Sequence, residues 1–127
     1  MPGSRLVRRI VPHSPMGYDL HVTRRKNWLD SGDDISLEEF TAYVRKDPEF
    51  TYPSKMGDHY AEWKSPKTDY GSWLCWEAGS IQTKNPEPEF IDKMIAVGKA
   101  FGAEVQGDDA EVYLSPARRE TNSLPAR

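Results

Sequence analysis

The sequence predicts an α/β protein of the α+β type, with one mainly antiparallel sheet of about five to six strands and two helices packed on it. Several short segments alternate apolar and polar residues, which is the period of a strand with one buried face. Two longer segments carry apolar residues at helical spacing, and turns containing Gly and Asp join neighbouring strands, as in antiparallel hairpins. The chain has 127 residues, which is enough for one domain with its own core.

The first strand is predicted over residues 18–23. Tyr18, Leu20 and Val22 alternate with polar residues and are expected to point into the core. His21 is then expected on the polar face of the strand, exposed to solvent. No second metal ligand or catalytic base stands near it in the sequence, so we interpret it as a surface residue.

The first helix is marked at both ends. Ser36 is its predicted N-cap, and Glu39 stands three residues later, where it completes a capping box. Ile35 and Phe40 occupy the two positions of a hydrophobic staple. Pro48 cannot continue the helix, which is therefore expected to end just before it.

The middle of the chain is predicted to form three strands. Residues 59–64 alternate, residues 70–77 carry large apolar side chains at successive positions, and residues 80–84 follow the pair Ala78 and Gly79. Apolar residues on both faces predict a central strand, or one with a face covered by a partner. The Ala-Gly pair predicts a hairpin turn between the last two of these strands.

A second helix and a closing hairpin complete the predicted domain. Asn85 is the predicted N-cap, with Pro86 at the first helical position. Gly102 stands where a left-handed residue ends a helix. Residues 103–106 and 110–114 are expected to form two short strands about a Gly-Asp-Asp turn.

The termini differ from the rest of the chain in composition. Residues 1–15 are predicted to be a disordered leader and residues 115–127 a disordered tail, which leaves residues 16–114 as a single α+β domain. The lone cysteine, Cys75, cannot form a disulfide within the chain, which is typical of a reducing compartment. No apolar run approaches the roughly 20 residues that span a bilayer. The sequence therefore predicts a cytoplasmic protein.

The predicted domain is acidic. Residues 16–114 contain 11 lysines and arginines against 19 aspartates and glutamates, a balance of −8. Such a field repels nucleic-acid phosphates and attracts basic proteins. We therefore expect no nucleic-acid partner and no membrane partner, and a basic protein partner is favoured. Acidity that merely keeps the protein soluble is the alternative that charge alone leaves open.

The sequence contains no recognisable catalytic constellation. Cys75 lies in an aromatic strand, where a free cysteine is usually a small buried apolar residue rather than a nucleophile. The three histidines share no spacing typical of a metal site, and no glycine-rich phosphate loop is present. Asp108, Asp109 and Glu111 fit a turn or a partner-facing patch better than acid–base catalysis. We predict no enzymatic activity, no metal and no cofactor.

Four segments carry a resemblance to known proteins. They are Y-D-L-H-V-T-R (18–24), S-L-E-E-F-x-x-Y-V (36–44) with D-P-E (47–49), G-S-I-Q-T-K-N-P (79–86) and G-A-E-V-Q-G-D-D-A-E-V-Y (102–113). Together they resemble a group of small bacterial proteins that look like immunity proteins of polymorphic or contact-dependent toxin systems. The resemblance spans residues 16–114, and its most specific piece is V-Q-G-D-D-x-E-x-Y. It implies no catalytic residues.

The resemblance implies a protein that binds a cognate toxin, expected to be basic, and neutralises it by stoichiometric inhibition. An acidic surface with aromatic anchors suits this role, because aromatic residues are enriched in binding hot spots. The residues predicted for it are Asp33, Asp34, Trp63, Tyr70, Trp76, Asp108, Asp109 and Glu111, and at least one of the three aromatic residues is expected to be partly exposed. Two alternatives stay open: a small ligand-binding domain or enzyme with a pocket between sheet and helices, and a homo-oligomer that buries apolar strand faces.

Overall fold

The computed structural model describes residues 18–114 and 118–119 and confirms the predicted α+β fold. Its elements follow in the order β1 (Asp19–Thr23), α1 (Leu37–Lys46), β2 (Phe50–Thr51), β3 (Tyr60–Lys64), β4 (Gly71–Glu77), β5 (Ser80–Lys84), α2 (Pro88–Ala100), β6 (Glu104–Gln106), β7 (Tyr113–Leu114) and β8 (Arg118–Arg119). Six strands form one sheet in the order β2-β3-β4-β5-β1-β6. Every neighbouring pair in this sheet is antiparallel.

The register of the sheet assigns each strand residue to one of two faces. Val22 pairs with Ile81 on β5 and with Val105 on β6, and directly opposed residues point to the same side of a sheet. These three belong to the buried core together with Phe40 from α1 and Phe90 from α2. We call this side the helix face. The opposite side, here called the open face, carries His21, which pairs with Gln82 and Gln106.

Helix α1 forms as its capping signals predict. The Ser36 side chain accepts from the Glu39 amide at 3.0 Å, and the Glu39 carboxylate accepts from the Ser36 amide at 2.9 Å, so both halves of the capping box are present. Both staple positions, Ile35 and Phe40, are fully buried. The helix ends at Lys46, two residues before Pro48.

Glu39 also joins the start of α1 to the end of β1. Arg24 donates to Glu39 at 2.6 Å and 3.1 Å, and this bond, with the Ser36 amide, lowers the pKa of Glu39 to about 2. A carboxyl with a depressed folded-state pKa contributes stability above its unfolded pKa and loses that contribution as pH falls toward the folded value. Part of the acid sensitivity of the fold is therefore expected to come from this residue.

Replacing Glu39 with glutamine is expected to flatten the loss of stability between about pH 6 and about pH 3, because the variant has no carboxylate there that takes up a proton when the chain unfolds. Glutamine keeps an acceptor for the Ser36 amide, so the cap itself survives. Urea unfolding midpoints at several pH values measure the effect, with Glu38→Gln, an exposed neighbour in the same turn, as the control. If the urea midpoint of Glu39→Gln depends on pH as steeply as that of the parent, Glu39 does not contribute to the acid sensitivity of the fold.

The hairpin between β4 and β5 is also confirmed. Ala78 and Gly79 have φ values of 51° and 89°, the two left-handed positions that a two-residue hairpin requires. Gly79 has a second constraint, since a Cβ there would lie 2.4 Å from the Asp34 side chain. This turn is consequently the place where β4 and β5 meet the loop that precedes α1.

The start of α2 differs from the prediction. The helix begins at Pro88 with Glu87 as its N-cap, and Asn85 lies before it with φ 47°. The Asn85 side chain accepts from the Tyr18 amide at 2.8 Å, and its own amide donates to the Tyr18 carbonyl at 2.9 Å. Asn85 therefore closes the β1–β5 pair instead of capping the helix, because asparagine tolerates the left-handed conformation. The predicted helix end at Gly102 is confirmed, with φ 65°.

The closing segment is less regular than the predicted hairpin. Glu104–Gln106 form β6, but only an isolated bridge, between Gln106 and Val112, joins it to the segment that follows. Tyr113–Leu114 pair instead with Arg118–Arg119 as a two-stranded sheet. Those last two residues differ from the predicted disordered tail, whereas the predicted leader and the rest of the tail lie outside the described residues.

Candidate functional site

The loop of residues 24–34 folds back over the open face and covers β1 and β6. The Trp28 indole stacks on the His21 ring with 3.7 Å between centroids and 7° between planes. The Trp28 amide donates to the Gln106 side chain at 2.9 Å, and its indole nitrogen donates to the Asp108 carbonyl at 3.2 Å. Trp28 thereby joins this loop to the turn of residues 107–110.

Gln106 is the buried anchor of this loop. Its side chain is fully inaccessible, and its amide nitrogen donates to the carbonyls of Lys26 at 3.0 Å and Arg25 at 3.3 Å. A buried amide that satisfies three backbone groups fixes the loop where mobility would otherwise be expected. No local sequence signal identifies Gln106, because its role depends on the pairing of β6 with β1.

Arg25 fixes the other end of the loop. Its guanidinium donates to the Asp34 carboxylate at 2.6 Å and to the carbonyls of Trp28 at 3.1 Å, Gly32 at 3.0 Å and Ala78 at 2.5 Å. The planar guanidinium suits such divergent contacts, since it has five donors in a fixed geometry. The loop is therefore held against the β4–β5 turn as well as against β1.

His21 is buried, so the prediction of an exposed surface histidine is wrong. It does point to the polar face of β1, but Trp28 covers it and leaves only 1% of the residue accessible. Its Nε2 lies 3.1 Å from the Asp108 carboxylate, which also accepts from the Asp19 amide at 3.3 Å. Burial lowers the pKa of His21, and the hydrogen bond to Asp108 opposes that shift.

The predicted partner-binding residues fall into three groups. Asp33, Asp34, Asp108 and Asp109 are exposed, Tyr70 and Trp76 are half-buried, and Trp63 and Glu111 are buried. The expectation that at least one of the three aromatic residues is partly exposed is therefore confirmed.

Trp63 and Glu111 have structural contacts that remove them from the predicted surface. Trp63 points to the helix face, packs against Phe90 with 4.8 Å between ring centroids and donates to the Glu49 carboxylate at 2.8 Å. The Glu111 carboxylate accepts from the Asp109 amide at 3.1 Å and so stabilises the acidic turn from inside. Strand alternation and turn composition do not reveal which residues the helices or a loop will cover.

The loop of residues 24–34 links most of the remaining residues. It runs from Asp34, beside the β4–β5 turn, to Trp28, beside the turn of Asp108, which contacts Asp19 at the opposite end of β1. The Trp76 indole donates to the Ile35 carbonyl at 2.7 Å, directly after the loop that carries Asp33 and Asp34. Trp28 connects that loop to the turn of Asp108 and Asp109. We call the exposed carboxylates of these two segments the acidic surface, and they are Asp30, Asp33, Asp34, Asp108 and Asp109.

Tyr70 is separated from the part of the acidic surface that carries Asp33 and Asp34. Its hydroxyl accepts from the Glu87 amide at 3.0 Å, at the start of α2. This contact lies toward the Lys84 end of β5, whereas Gly79, beside Asp34, precedes the other end. A partner centred on Asp33 and Asp34 would therefore not include Tyr70 at its centre.

The open face also carries a groove away from the acidic surface. Its volume is about 530 Å³, and its lining includes Met56, Glu62, Lys64 and Trp73. Cys75 lies on the same face but is buried, and burial raises the pKa of its thiol. A thiol with a raised pKa is a poor nucleophile at neutral pH, so this groove offers binding contacts rather than an activated cysteine.

These features define an α+β protein with one sheet face covered by two helices and the other partly covered by the loop of residues 24–34. No protein family, curated protein or solved structure compared with the chain matches it. Among the described residues, no helix has the length and apolar character needed to cross a membrane. Function has to be inferred from the surface itself, because a fold alone does not specify one.

Proposed function

We propose that this protein is a bacterial immunity protein, which binds a cognate toxin in the cytoplasm and neutralises it without catalysis. The observation that carries the proposal is the acidic surface, five exposed aspartates on two segments joined by Trp28. The resemblance of the sequence to immunity proteins points to the same role.

Charge favours a basic partner for this surface. Within residues 18–114, no ion pair involves Asp30, Asp33 or Asp109. The nearby arginines are already engaged, since Arg24 contacts Glu39 and Arg25 contacts Asp34. Carboxylates without a counter-ion steer a basic partner and speed its association.

The fixed conformation of the acidic surface also favours tight binding. Gln106 and Arg25 hold the loop of residues 24–34 through side-chain contacts to its backbone. A loop that is ordered before it binds loses less conformational entropy on association. Trp28 and Trp76 lie at its margins, both half-buried, and partly exposed aromatic side chains of this kind supply anchor contacts in interfaces.

The principal experiment reverses charge on the acidic surface without disturbing its internal contacts. We expect the Asp30→Lys, Asp109→Lys double variant to bind the toxin encoded by the adjacent gene at least about tenfold more weakly at low salt, with a smaller difference at high salt. Surface plasmon resonance at two ionic strengths measures both effects. Protection of cells that express the toxin should fall in parallel.

A matched control carries the same change in net charge elsewhere. Asp69→Lys with Glu87→Lys places two lysines near Tyr70, outside both segments of the acidic surface. Equal weakening by the control would show that net charge rather than this surface drives binding. An adjacent gene product that does not harm cells in the absence of this protein would contradict the proposal itself.

The groove on the open face supports one alternative, a small ligand-binding domain or enzyme. Its Trp73 ring offers a stacking surface for a planar molecule, and the flanking Lys64 offers a cation for an anionic group on that molecule. This groove lies on the opposite side of the sheet from the helices, unlike the pocket that the sequence predicts. A thermal-shift survey of nucleotides and small acids distinguishes the two functions, because a ligand of the native state raises its melting temperature.

A further inference from the structure

Three side chains with metal-ligand chemistry converge at the edge of the sheet formed by β1 and the turn after β6. They are Asp19, His21 and Asp108, and one ligand atom from each lies within 4.8 Å of the others. His21 Nε2 and Asp108 Oδ1 are 3.1 Å apart. Asp19 stands two positions from His21 on the same strand face, but Asp108 is 87 residues away from His21, so the sequence spacing does not indicate the complete cluster.

The donor set suits a zinc-like cation rather than calcium or magnesium. Zinc accepts an imidazole nitrogen and carboxylate oxygens at about 2.0–2.2 Å, so its tetrahedral ligands lie about 3.4 Å apart. The His21 and Asp108 atoms are already close to that spacing, and only the Asp19 carboxylate has to move inward. Calcium and magnesium prefer oxygen ligands throughout, and a buried imidazole does not serve them.

The imidazole is held in position independently of any cation. Trp28 stacks on the ring at 3.7 Å, and only 1% of His21 is accessible. A side chain packed in this way directs Nε2 toward the carboxylates without a further loss of rotamer entropy on binding. The Asp108 side chain is 50% exposed, which leaves a route from solvent to the cluster.

One contact competes with a cation. Lys84 Nζ lies 2.9 Å from Asp19 Oδ1, and the lysine side chain is 66% exposed. An exposed ion pair of this kind is worth little, so the ammonium can move away or leave the second Asp19 oxygen available. Removing the Lys84 ammonium should therefore strengthen cation binding.

We propose that Asp19, His21 and Asp108 bind a divalent transition-metal ion of the zinc type, with water completing its coordination. The ion takes the place of the hydrogen bond between His21 Nε2 and Asp108 Oδ1, and a proton carried by Nε2 is released to solvent. The ion thereby links β1 to the turn that carries part of the acidic surface. This inference does not depend on the identity of the protein partner.

The test is a calorimetric titration of the full chain with ZnCl₂ alone, after treatment with a chelator. We expect one zinc per chain, with affinity reduced at least about tenfold in Asp108→Asn and in His21→Gln. Asp109→Asn, next in the same turn, is the matched control and should bind as the parent does. Lys84→Met should bind more tightly. His13→Gln serves as the background in every case, since His13 lies outside the described residues.

A second readout keeps the test decisive if His21→Gln does not fold. The ring protons of His21 should shift on zinc addition in an NMR spectrum of the parent protein, whereas those of His59 should not. Zinc binding that is equal in the parent, Asp108→Asn and Asp109→Asn would overturn the proposal. Perturbation of His59 instead of His21 would overturn it as well.

Discussion

Replacing Phe90 with alanine is expected to destabilise the protein by about 3–5 kcal/mol, the usual cost of truncating a buried phenylalanine. Phe90 on α2 is fully buried and lies against Trp63 on β3, with 4.8 Å between ring centroids. Trp63 in turn meets Tyr70 edge to face at 5.9 Å. The substitution leaves a cavity where three aromatic rings join the second helix to the sheet.

Urea unfolding followed by tryptophan fluorescence measures the loss, because Trp63 borders the cavity. Phe90→Leu, which removes less volume, should cost clearly less than Phe90→Ala. Met56→Ala is a suitable surface control, since Met56 is 50% exposed, and such a change is expected to stay within about 0.5 kcal/mol. A Phe90→Ala effect as small as that of Met56→Ala would mean that α2 does not contribute to the core as described.

Replacing Lys93 with alanine is expected to cost about 2–3 kcal/mol, because it leaves two carboxylates facing each other without their cation. Lys93 Nζ lies 2.7 Å from Asp47 and 3.0 Å from Glu49, and its side chain is 16% exposed. Tyr43 donates to the same Asp47 oxygen at 2.8 Å. These contacts connect α2 to the C-terminal end of α1.

The pKa values of Lys93 and Asp47 follow from the same contacts. Burial alone would lower the pKa of Lys93, but hydrogen bonds to Asp47 and Glu49 raise it. Burial alone would raise the pKa of Asp47, but the hydrogen bond from Lys93 lowers it. In Lys93→Ala the Asp47 carboxylate loses this compensation, so the variant should approach the stability of the parent protein as Asp47 protonates in acid.

Lys99→Ala is the matched control for Lys93→Ala, because Lys99 is exposed on the same helix. Its effect on the free energy of unfolding should be within about 0.5 kcal/mol. Chemical unfolding of both variants at neutral and acidic pH completes the comparison. Equal effects of the two substitutions at neutral pH would contradict a role for the Lys93 contacts.

Local signals account for the parts of the fold that the sequence predicts well. The capping box of Ser36 and Glu39 involves residues three positions apart, and the Ala78-Gly79 turn depends on two adjacent residues. Both are complete within a short segment, so no tertiary information is needed to identify them. Asn85 shows the limit of such signals, since it is predicted to cap a helix but contacts the distant Tyr18 instead.

The candidate site was predictable only in part, because its details depend on which surfaces cover one another. Exposure of Asp33 and Asp109 follows from their place in turns. The burial of His21 requires Trp28 to fold back from the next loop, and its contact with Asp108 requires β6 to pair with β1. Alternation assigns Trp63 to one face of its strand, but it cannot tell that the helices lie there.

The lengths of the outer strands limit how a partner can bind. β2 has two residues and is followed closely by Pro53, and β6 has three residues. Pairing with an added strand requires a longer row of unpaired backbone groups at a sheet edge. Recognition through main-chain hydrogen bonds is therefore disfavoured at both edges, and a partner has to distinguish this protein by its side chains. Surface substitutions should accordingly be able to change partner specificity while the backbone stays the same.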